Sequence, residues 1–473
     1  MSGIIGNNNS RFARDFNYPD THLQGIITAI YDIGCVAGSV VCFLIGERVG
    51  RRKMIFAGGF IMVIGAIILS SSFSLAQLLI GRIVTGFGNG FNSSTIPVYQ
   101  SEMATMATNR GKLLTMQAVV TIAGLCIAYW LDFGTSFTSS SMQWRLPMAF
   151  QSVFEIWLVF LAFVLPDTPR WLIAQDRGSE ATEVLARLYD FDTHDEEIQL
   201  QKAYIEASVR LESQGGPFKF QELFTTGKLG NLRRLCLTIA VMLMQQFTGS
   251  NMINYYAPVV YQNTMNLSRN TSLILGGCTS LTYLVGSLIP LWAMDRFGRR
   301  NLLLFSSVGL CVCFVITSIL LSHQTLGRAY GACAMVFLFQ IFLGVGWLPV
   351  PWFYPSEINH TRLRSRGMAI GSAFNWLAVF AVVQITPIAI GSIGWKTFII
   401  FAVFNGLWAP IVYCFFPETN GLDLEDIDHI FDRGGITGGV FETNGRTVTP
   451  GAHKTLVDAT LKHGEVTIED LEV

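Results

Sequence analysis

Apolar runs of about 20 residues recur along the chain at 24–45, 54–74, 77–98, 113–132, 146–165, 235–260, 272–294, 302–322, 329–352, 368–390 and 396–416. Each is long enough to cross a hydrocarbon core of about 30 Å as a helix rising about 1.5 Å per residue. The pattern predicts an all-α membrane protein with eleven transmembrane helices. Between the fifth and sixth runs lies one long hydrophilic segment, 166–234. There Ser179–Tyr189 and Asp195–Glu212 carry apolar residues at helical spacing among charges, which predicts short amphipathic helices. Residues 434–473, rich in Gly, Thr and acids and poor in aromatics, read as a flexible tail.

Lys and Arg in the short loops set the expected orientation. One set of loops holds Arg48, Arg51, Arg52, Lys53, Arg110, Lys112, Arg296, Arg299, Arg300, Arg362, Arg364 and Arg366. The alternate loops hold only Arg145, Arg269, Arg328 and Lys396. The first set, segment 166–234 and the tail from 417 are therefore expected in the cytoplasm, with the plasma membrane as the expected location.

Composition agrees with the pattern. Charged residues make up 14% of the chain, against roughly a quarter in soluble domains, and mean hydropathy is +0.44. A net charge of -1 implies neither nucleic acid nor an acidic partner. The nine Cys show no C-x-x-C pair and no metal spacing with His, so no metal, cofactor or disulfide framework is expected. No H-E-x-x-H, G-x-S-x-G or P-loop pattern points to an enzyme.

Polar residues inside the runs carry the candidate chemistry. The stretch Gln245-Gln246-Phe247-Thr248-Gly249-Ser250-Asn251-Met252-Ile253-Asn254-Tyr255-Tyr256 interrupts the sixth run near mid-membrane. In an unbroken helix Gln245 and Asn251 point about 120° apart; a break at Thr248-Gly249-Ser250 would let them converge on a solute. A single Gln there could equally be amide glue between helices. Five polar groups, Gln245, Gln246, Asn251, Tyr255 and Tyr256, favour a binding site. Asp32 and Glu155 also lie inside runs, where carboxylates are functional candidates by default.

The chain repeats itself. Gly50-Arg51-Arg52-Lys53 recurs as Gly298-Arg299-Arg300-Asn301, Ser101-Glu102 as Ser356-Glu357, and Pro166-Asp167-Thr168 as Pro417-Glu418-Thr419. Three motifs in one order at nearly one offset predict two homologous bundles with a site between them. The expected divisions are 1–165, 166–234, 235–416 and 417–473. Five spans precede the linker and six follow it, so one of the expected twelve is missing.

These motifs resemble the sugar porter family of the major facilitator superfamily, fungal members above all. The residues that carry the likeness are Gly46-Glu47-Arg48-Val49-Gly50-Arg51-Arg52, Gly81-Arg82-Ile83-Val84-Thr85-Gly86-Phe87-Gly88, Pro166-Asp167-Thr168-Pro169-Arg170-Trp171-Leu172, Asp295-Arg296-Phe297-Gly298-Arg299-Arg300, Pro351-Trp352-Phe353-Tyr354-Pro355-Ser356-Glu357 and Pro417-Glu418-Thr419-Asn420-Gly421-Leu422. The polar stretch 245–256 belongs with them. The resemblance implies two six-helix bundles rocking about a central sugar site, a monomeric working unit, and a sugar or polyol substrate with protons as the coupling ion. It implies that Gln245, Gln246 and Asn251 bond sugar hydroxyls, that Tyr255 and Tyr256 close the outer side, and that Trp352, Asn375 and Trp376 line the site. Glu102 with Arg110, and Glu357 with Arg364 or Arg366, would join Arg51, Arg52, Arg299 and Arg300 in a cytoplasmic lattice tying the halves together.

The chain also departs from the family pattern. Met1-Ser2-Gly3-Ile4-Ile5 looks like the tail of a first-helix motif, so an N-terminally truncated chain is expected, and Arg82 is left without that motif's Asp. The fifth expected helix reads Gln117-Ala118 where a sugar-contacting Gln often occupies the second position, and Tyr283 stands where Asn is frequent. Pentoses, polyols and quinate-like acids therefore stay open beside hexoses. Asp32 or Glu155, near Arg82, is expected to take part in proton coupling. A transporter-like sugar sensor is the alternative reading.

Overall fold

The computed structural model describes residues 11–104, 107–214, 216, 218–226, 230–265, 267–323 and 325–420, and beyond these 427, 430, 431 and 437–440. Most of the predicted tail lies outside the described residues. The described chain is helical. A short α1 (Arg11–Asp15) leads into α2 (Thr21–Val49), α3 (Arg51–Ser70), α4 (Leu75–Met103), α5 (Ala107–Thr135) and α6 (Met142–Val164). Segment 166–234 forms α7 (Pro169–Ala174), α8 (Gly178–Tyr189), α9 (Glu196–Gln214) and a 3₁₀ turn, Phe220–Phe224. The second half holds α10 (Asn231–Gln246), α11 (Ser250–Val259), α12 (Arg269–Leu288), α13 (Pro290–Phe297), α14 (Arg299–Leu321), α15 (Leu326–Val345), α16 (Val350–Ile358), α17 (Thr361–Ile393) and α18 (Thr397–Phe415).

Three pairs, α10/α11, α12/α13 and α15/α16, are single spans; the first and third are interrupted by a break, whereas α12 runs on into α13 through Ile289 in helical geometry ahead of Pro290. The helices thus make eleven crossings, five before the linker and six after it. Length and hydropathy alone mark eight candidate spans, one of which, Arg362–Phe415, contains both α17 and α18. Crossings α4 and α10/α11 are not among the eight. Their polar content explains it: α4 carries Arg82, Asn89, Asn92 and Gln100, and α10/α11 carries the amides already singled out. The least apolar crossings are the ones that hold the chemistry.

Within the first half α4 packs on α2 and α3, and α3 packs on α6; within the second, α14 packs on α15 and α18, and α12 on α15. The halves meet along α2 against α17 and α5 against α12. Glycines allow the closest crossing. A Cβ on Gly34 would stand 2.3 Å from Ile83 O and one on Gly86 2.0 Å from Tyr31 O, so α2 and α4 touch backbone to backbone. Where α2 turns into α3, and α13 into α14, the chain passes through Gly50 (φ 95°) and Gly298 (φ 83°). These φ values favour glycine, and each turn brings its Arg-Arg pair to the same end of the molecule. That end, with the linker packed on it, is the charged end.

In the linker the helical periodicity is realised as α8 and α9. Ala181, Val184 and Leu185 are buried on α8, and Ala181 and Val184 pack with Trp171, Leu172 and Ile173 of α7.

Candidate solute site and charged-end lattice

The site is built around the break between α10 and α11. Gln246 ends one helix, Gly249 (φ 88°) turns the chain, and Ser250 starts the next. A side chain at Gly249 would also meet Phe314 at 2.9 Å and Phe401 at 3.0 Å. The carbonyl of Thr248, freed by the break, accepts from Asn405 Nδ2 at 2.9 Å. The break brings the amides together. Asn251 Nδ2 donates to Gln246 Oε1 at 2.6 Å; Gln246 Nε2 donates to Asn375 Oδ1 at 2.6 Å and to Gln245 Oε1 at 3.2 Å. Gln245 Nε2 donates to Trp347 O (2.7 Å) and Leu348 O (3.3 Å), the carbonyls exposed by the second break between α15 and α16. All four amides are buried. Two broken helices are thus held by one chain of amides, each able to donate and accept toward vicinal hydroxyls.

Aromatic residues stand beside this chain. Trp352 and Trp376, both half-buried, have ring centroids 6.4 Å apart, and Tyr31 meets Trp376 edge-on at 6.1 Å. Trp376 Nε1 donates to Ser93 Oγ at 3.0 Å, and Ser93 and Ser39 each bond Ser372 Oγ, linking α4, α2 and α17 across the halves. Tyr256 OH donates to Val383 O at 3.1 Å, closing α11 onto α17. Tyr255 is half-buried on the same helix. Gln117 sits half-buried on α5 and takes no bond of the amide chain; its carbonyl accepts from Thr121 at 2.9 Å. Tyr283 is buried on α12 and stands beside the side chain of Asn254, a further amide within the stretch 245–256.

Of the two intramembrane carboxylates, Asp32 lies beside Arg82, whereas Glu155 sits on α6 against α3 near Gly59. Asp32 is 1% exposed, and neither oxygen has a hydrogen-bond partner among the described residues. The Arg82 guanidinium donates to Ile27 O (3.2 Å) and Thr28 O (2.5 Å) and lies 5.0 Å from the Tyr31 ring.

At the charged end the expected lattice is present with a different connectivity. Arg51 pairs with Glu102 at 2.9 Å and Arg299 with Glu357 at 2.9 Å, each inside its own half. They do not tie the halves together. Thr168 Oγ1 donates to Glu102 at 2.6 Å, as Thr419 Oγ1 does to Glu357 at 2.7 Å. Asp167 accepts from the backbone N–H of Arg52, and Glu418 from those of Arg299 and Arg300. The guanidinium of Arg52 is committed to the carbonyls of Ala162 and Phe163, and that of Arg300 to Tyr413 O and Val440 O. Arg364 is buried, and the side chain of Arg110 lies outside the described residues. Glu47 with Arg366 is an ion pair that crosses the halves. Arg366 also lies 3.8 Å from the Phe218 ring, and Arg362 forks onto Glu222 at 2.8 and 3.0 Å, so the linker covers the same junction. A separate cavity of about 640 Å³ opens at this end, lined by Arg52, Lys53, Phe56, Leu172 and Arg187 among others, away from the amides.

Eleven crossings in two pseudo-repeated bundles, with broken polar helices between them, define a multi-pass membrane protein of the major facilitator fold. The family model described as "Sugar (and other) transporter" matches residues 5–431. The chain is 40% identical over 417 residues to Sugar transporter STL1 of Saccharomyces cerevisiae, covering 87% of this chain and 73% of that one. It is 40% identical to the MFS-type transporter oryC of Aspergillus oryzae, with 91% and 81% covered. It is 31% identical to a low-affinity glucose transporter of Kluyveromyces lactis, with 92% and 79% covered. The chain belongs to the sugar porter family of the major facilitator superfamily. Among solved structures, the proton:xylose symporter XylE bound to 6-bromo-6-deoxy-D-glucose superposes with a TM-score of 0.78 at 22% identity, covering 91% of this chain and 94% of that one.

Proposed function

We propose that this protein carries a monosaccharide or a similar polyhydroxylated solute across the membrane by alternating access, coupled to protons. The observation that carries the reading is the amide chain Asn251–Gln246–Asn375 with Gln245, buried between two broken helices and matched to hydroxyl groups in both donor and acceptor capacity. In this reading Gln245, Gln246, Asn251 and Asn375 bind hydroxyls, Trp352 and Trp376 present faces to the C–H side of the solute, and Tyr255 and Tyr256 close the outer side. Asp32 is the favoured proton carrier. It is buried without a partner among the described residues and sits beside Arg82 and the tyrosines of α11. The charged end faces the cytoplasm of a plasma-membrane protein, in keeping with its Arg-rich loops.

Counterflow in vesicles tests both parts. Vesicles preloaded with unlabelled D-glucose, D-xylose or D-sorbitol should accumulate the labelled compound for at least one of the three. Asp32→Asn should keep counterflow and lose accumulation driven by a pH gradient. Absence of counterflow for every compound would overturn the transport reading, and intact pH-driven uptake in Asp32→Asn would overturn the coupling.

A further inference from the structure

One turn further along α11 from Asn251, and on the same face, stands Asn254. Its side chain is half-buried, and its Oδ1 accepts from Gln340 Nε2 of α15 at 2.7 Å. The Tyr283 phenol of α12 stands beside the same side chain. Tyr129 of α5 donates its hydroxyl to the backbone carbonyl of Asn254, and this bond reaches over from the first half. Gln340 is 1% exposed, and its Oε1 is buried with no donor among the described residues.

An amide in this position is half used. Gln340 spends its donor on Asn254 and leaves a strong acceptor desolvated, an arrangement that is unfavourable until a donor arrives. A solute hydroxyl is such a donor, and Asn254, one turn from Asn251, is the partly exposed member of the pair. We infer that Asn254 and Gln340 form a second hydroxyl subsite, held by Tyr283 and completed by Tyr129, that reads a hydroxyl of the solute beyond those met by Gln246 and Asn375. The inference rests on the transport reading above. It also gives Tyr283 a role: standing beside Asn254, its phenol limits the rotamers open to that side chain. Because Tyr129 belongs to the first half, the subsite is whole only while α5 lies against α11, so recognition at this point is tied to closure.

Competition by deoxy sugars tests it on the full chain. Uptake of whichever of labelled D-glucose, D-xylose or D-sorbitol the wild type accumulates is inhibited with the parent compound and with each of its single-position deoxy analogues, in wild type, Gln340→Leu and Asn254→Ile. In the wild type one analogue should inhibit about tenfold more weakly than the parent because its hydroxyl is missing. In both variants that analogue and the parent should inhibit within twofold of each other, while the remaining analogues keep their wild-type ratios. A variant that merely loosens the fold would weaken every inhibitor alike. If all analogues keep their wild-type ratios in both variants, the subsite is overturned and transport stands. If the wild type accumulates none of the labelled compounds, the transport reading fails and the subsite fails with it.

Discussion

The charged end and the centre of the solute path are built on opposite plans. At the charged end the halves are near copies: Arg51–Glu102–Thr168 matches Arg299–Glu357–Thr419, Asp167 matches Glu418, and Tyr99 donates to Pro166 O as Tyr354 does to Pro417 O. At the centre the resemblance stops. The second half brings four linked amides and two broken helices, while the first half brings Ser39, Ser93 and Ser94 on unbroken ones, bonded to one another and to Ser372 and Trp376 of α17. The difference separates two jobs. Each bundle needs its helix ends locked in the same way to move as a body, whereas a solute without two-fold symmetry needs an asymmetric site.

That contrast makes predictions, ranked by their expected effect on uptake. Gln246→Leu should have the largest effect on uptake, because it removes the hub of three amide bonds at about 1 kcal/mol each, a loss of roughly a hundredfold in kcat/KM. Initial rates over a range of solute concentrations measure it, and a change under fivefold would show that the centre is no more specialised than the ends. Next, Glu357→Gln and Glu102→Gln each leave a guanidinium without its carboxylate. A loss of about 3–5 kcal/mol is expected for the more buried Arg299 site and somewhat less for Arg51, whose pair is more open. Thermal unfolding in detergent ranks them; a neutral result in one half alone would break the equivalence of the lattices.

The third prediction concerns the linker. The hydrogen bond from Arg362 holds the Glu222 carboxyl below the usual carboxylate range, with the backbone N–H of Lys219 adding to it. A depressed pKa contributes stability that is present above the unfolded value and lost as pH falls through the folded one. Linker docking should therefore hold at neutral pH and weaken below about pH 4, and Glu222→Gln should abolish that dependence. Limited proteolysis near Phe218 across a pH series reads it out. Smallest of all, Glu47→Gln removes an ion pair that crosses the halves. Such pairs are worth about 0–1 kcal/mol, so the balance between inward and outward states should shift by no more than about fivefold, measured as the ratio of solute affinities from the two faces.

Much of this was legible in the residues. Run lengths placed eleven crossings, and the polar stretch 245–256 marked the break and its amides. The charged-end motifs were visible as repeats, but their pairing was not: Glu47 sits in the same motif as Arg51, and nothing in sequence says that it reaches across to Arg366 while Arg51 stays home. Gln340 is a single polar residue in an apolar run, where one amide is as readily helix glue as binding group, and Asn254 stands in the polar stretch with nothing in sequence to pair it with Gln340. Only their meeting from two helices makes them a feature. The opposite holds for Gln117, conspicuous in sequence and idle in the amide chain.

The glycine turns at 50 and 298 bear on how a doubled protein of this kind can diverge. A side chain at Gly298 would begin 2.3 Å from a Glu418 oxygen, and one at Gly50 would press on the Trp171 ring and Asp167. Neither turn has a workable intermediate, so drift at these places is closed in both halves. The central amides sit on side chains that can be exchanged one at a time, each exchange retuning the cargo without unseating the frame. Novelty in such a lineage would therefore begin at the solute and spread outward, leaving the ancestral duplication readable longest where nothing is bound.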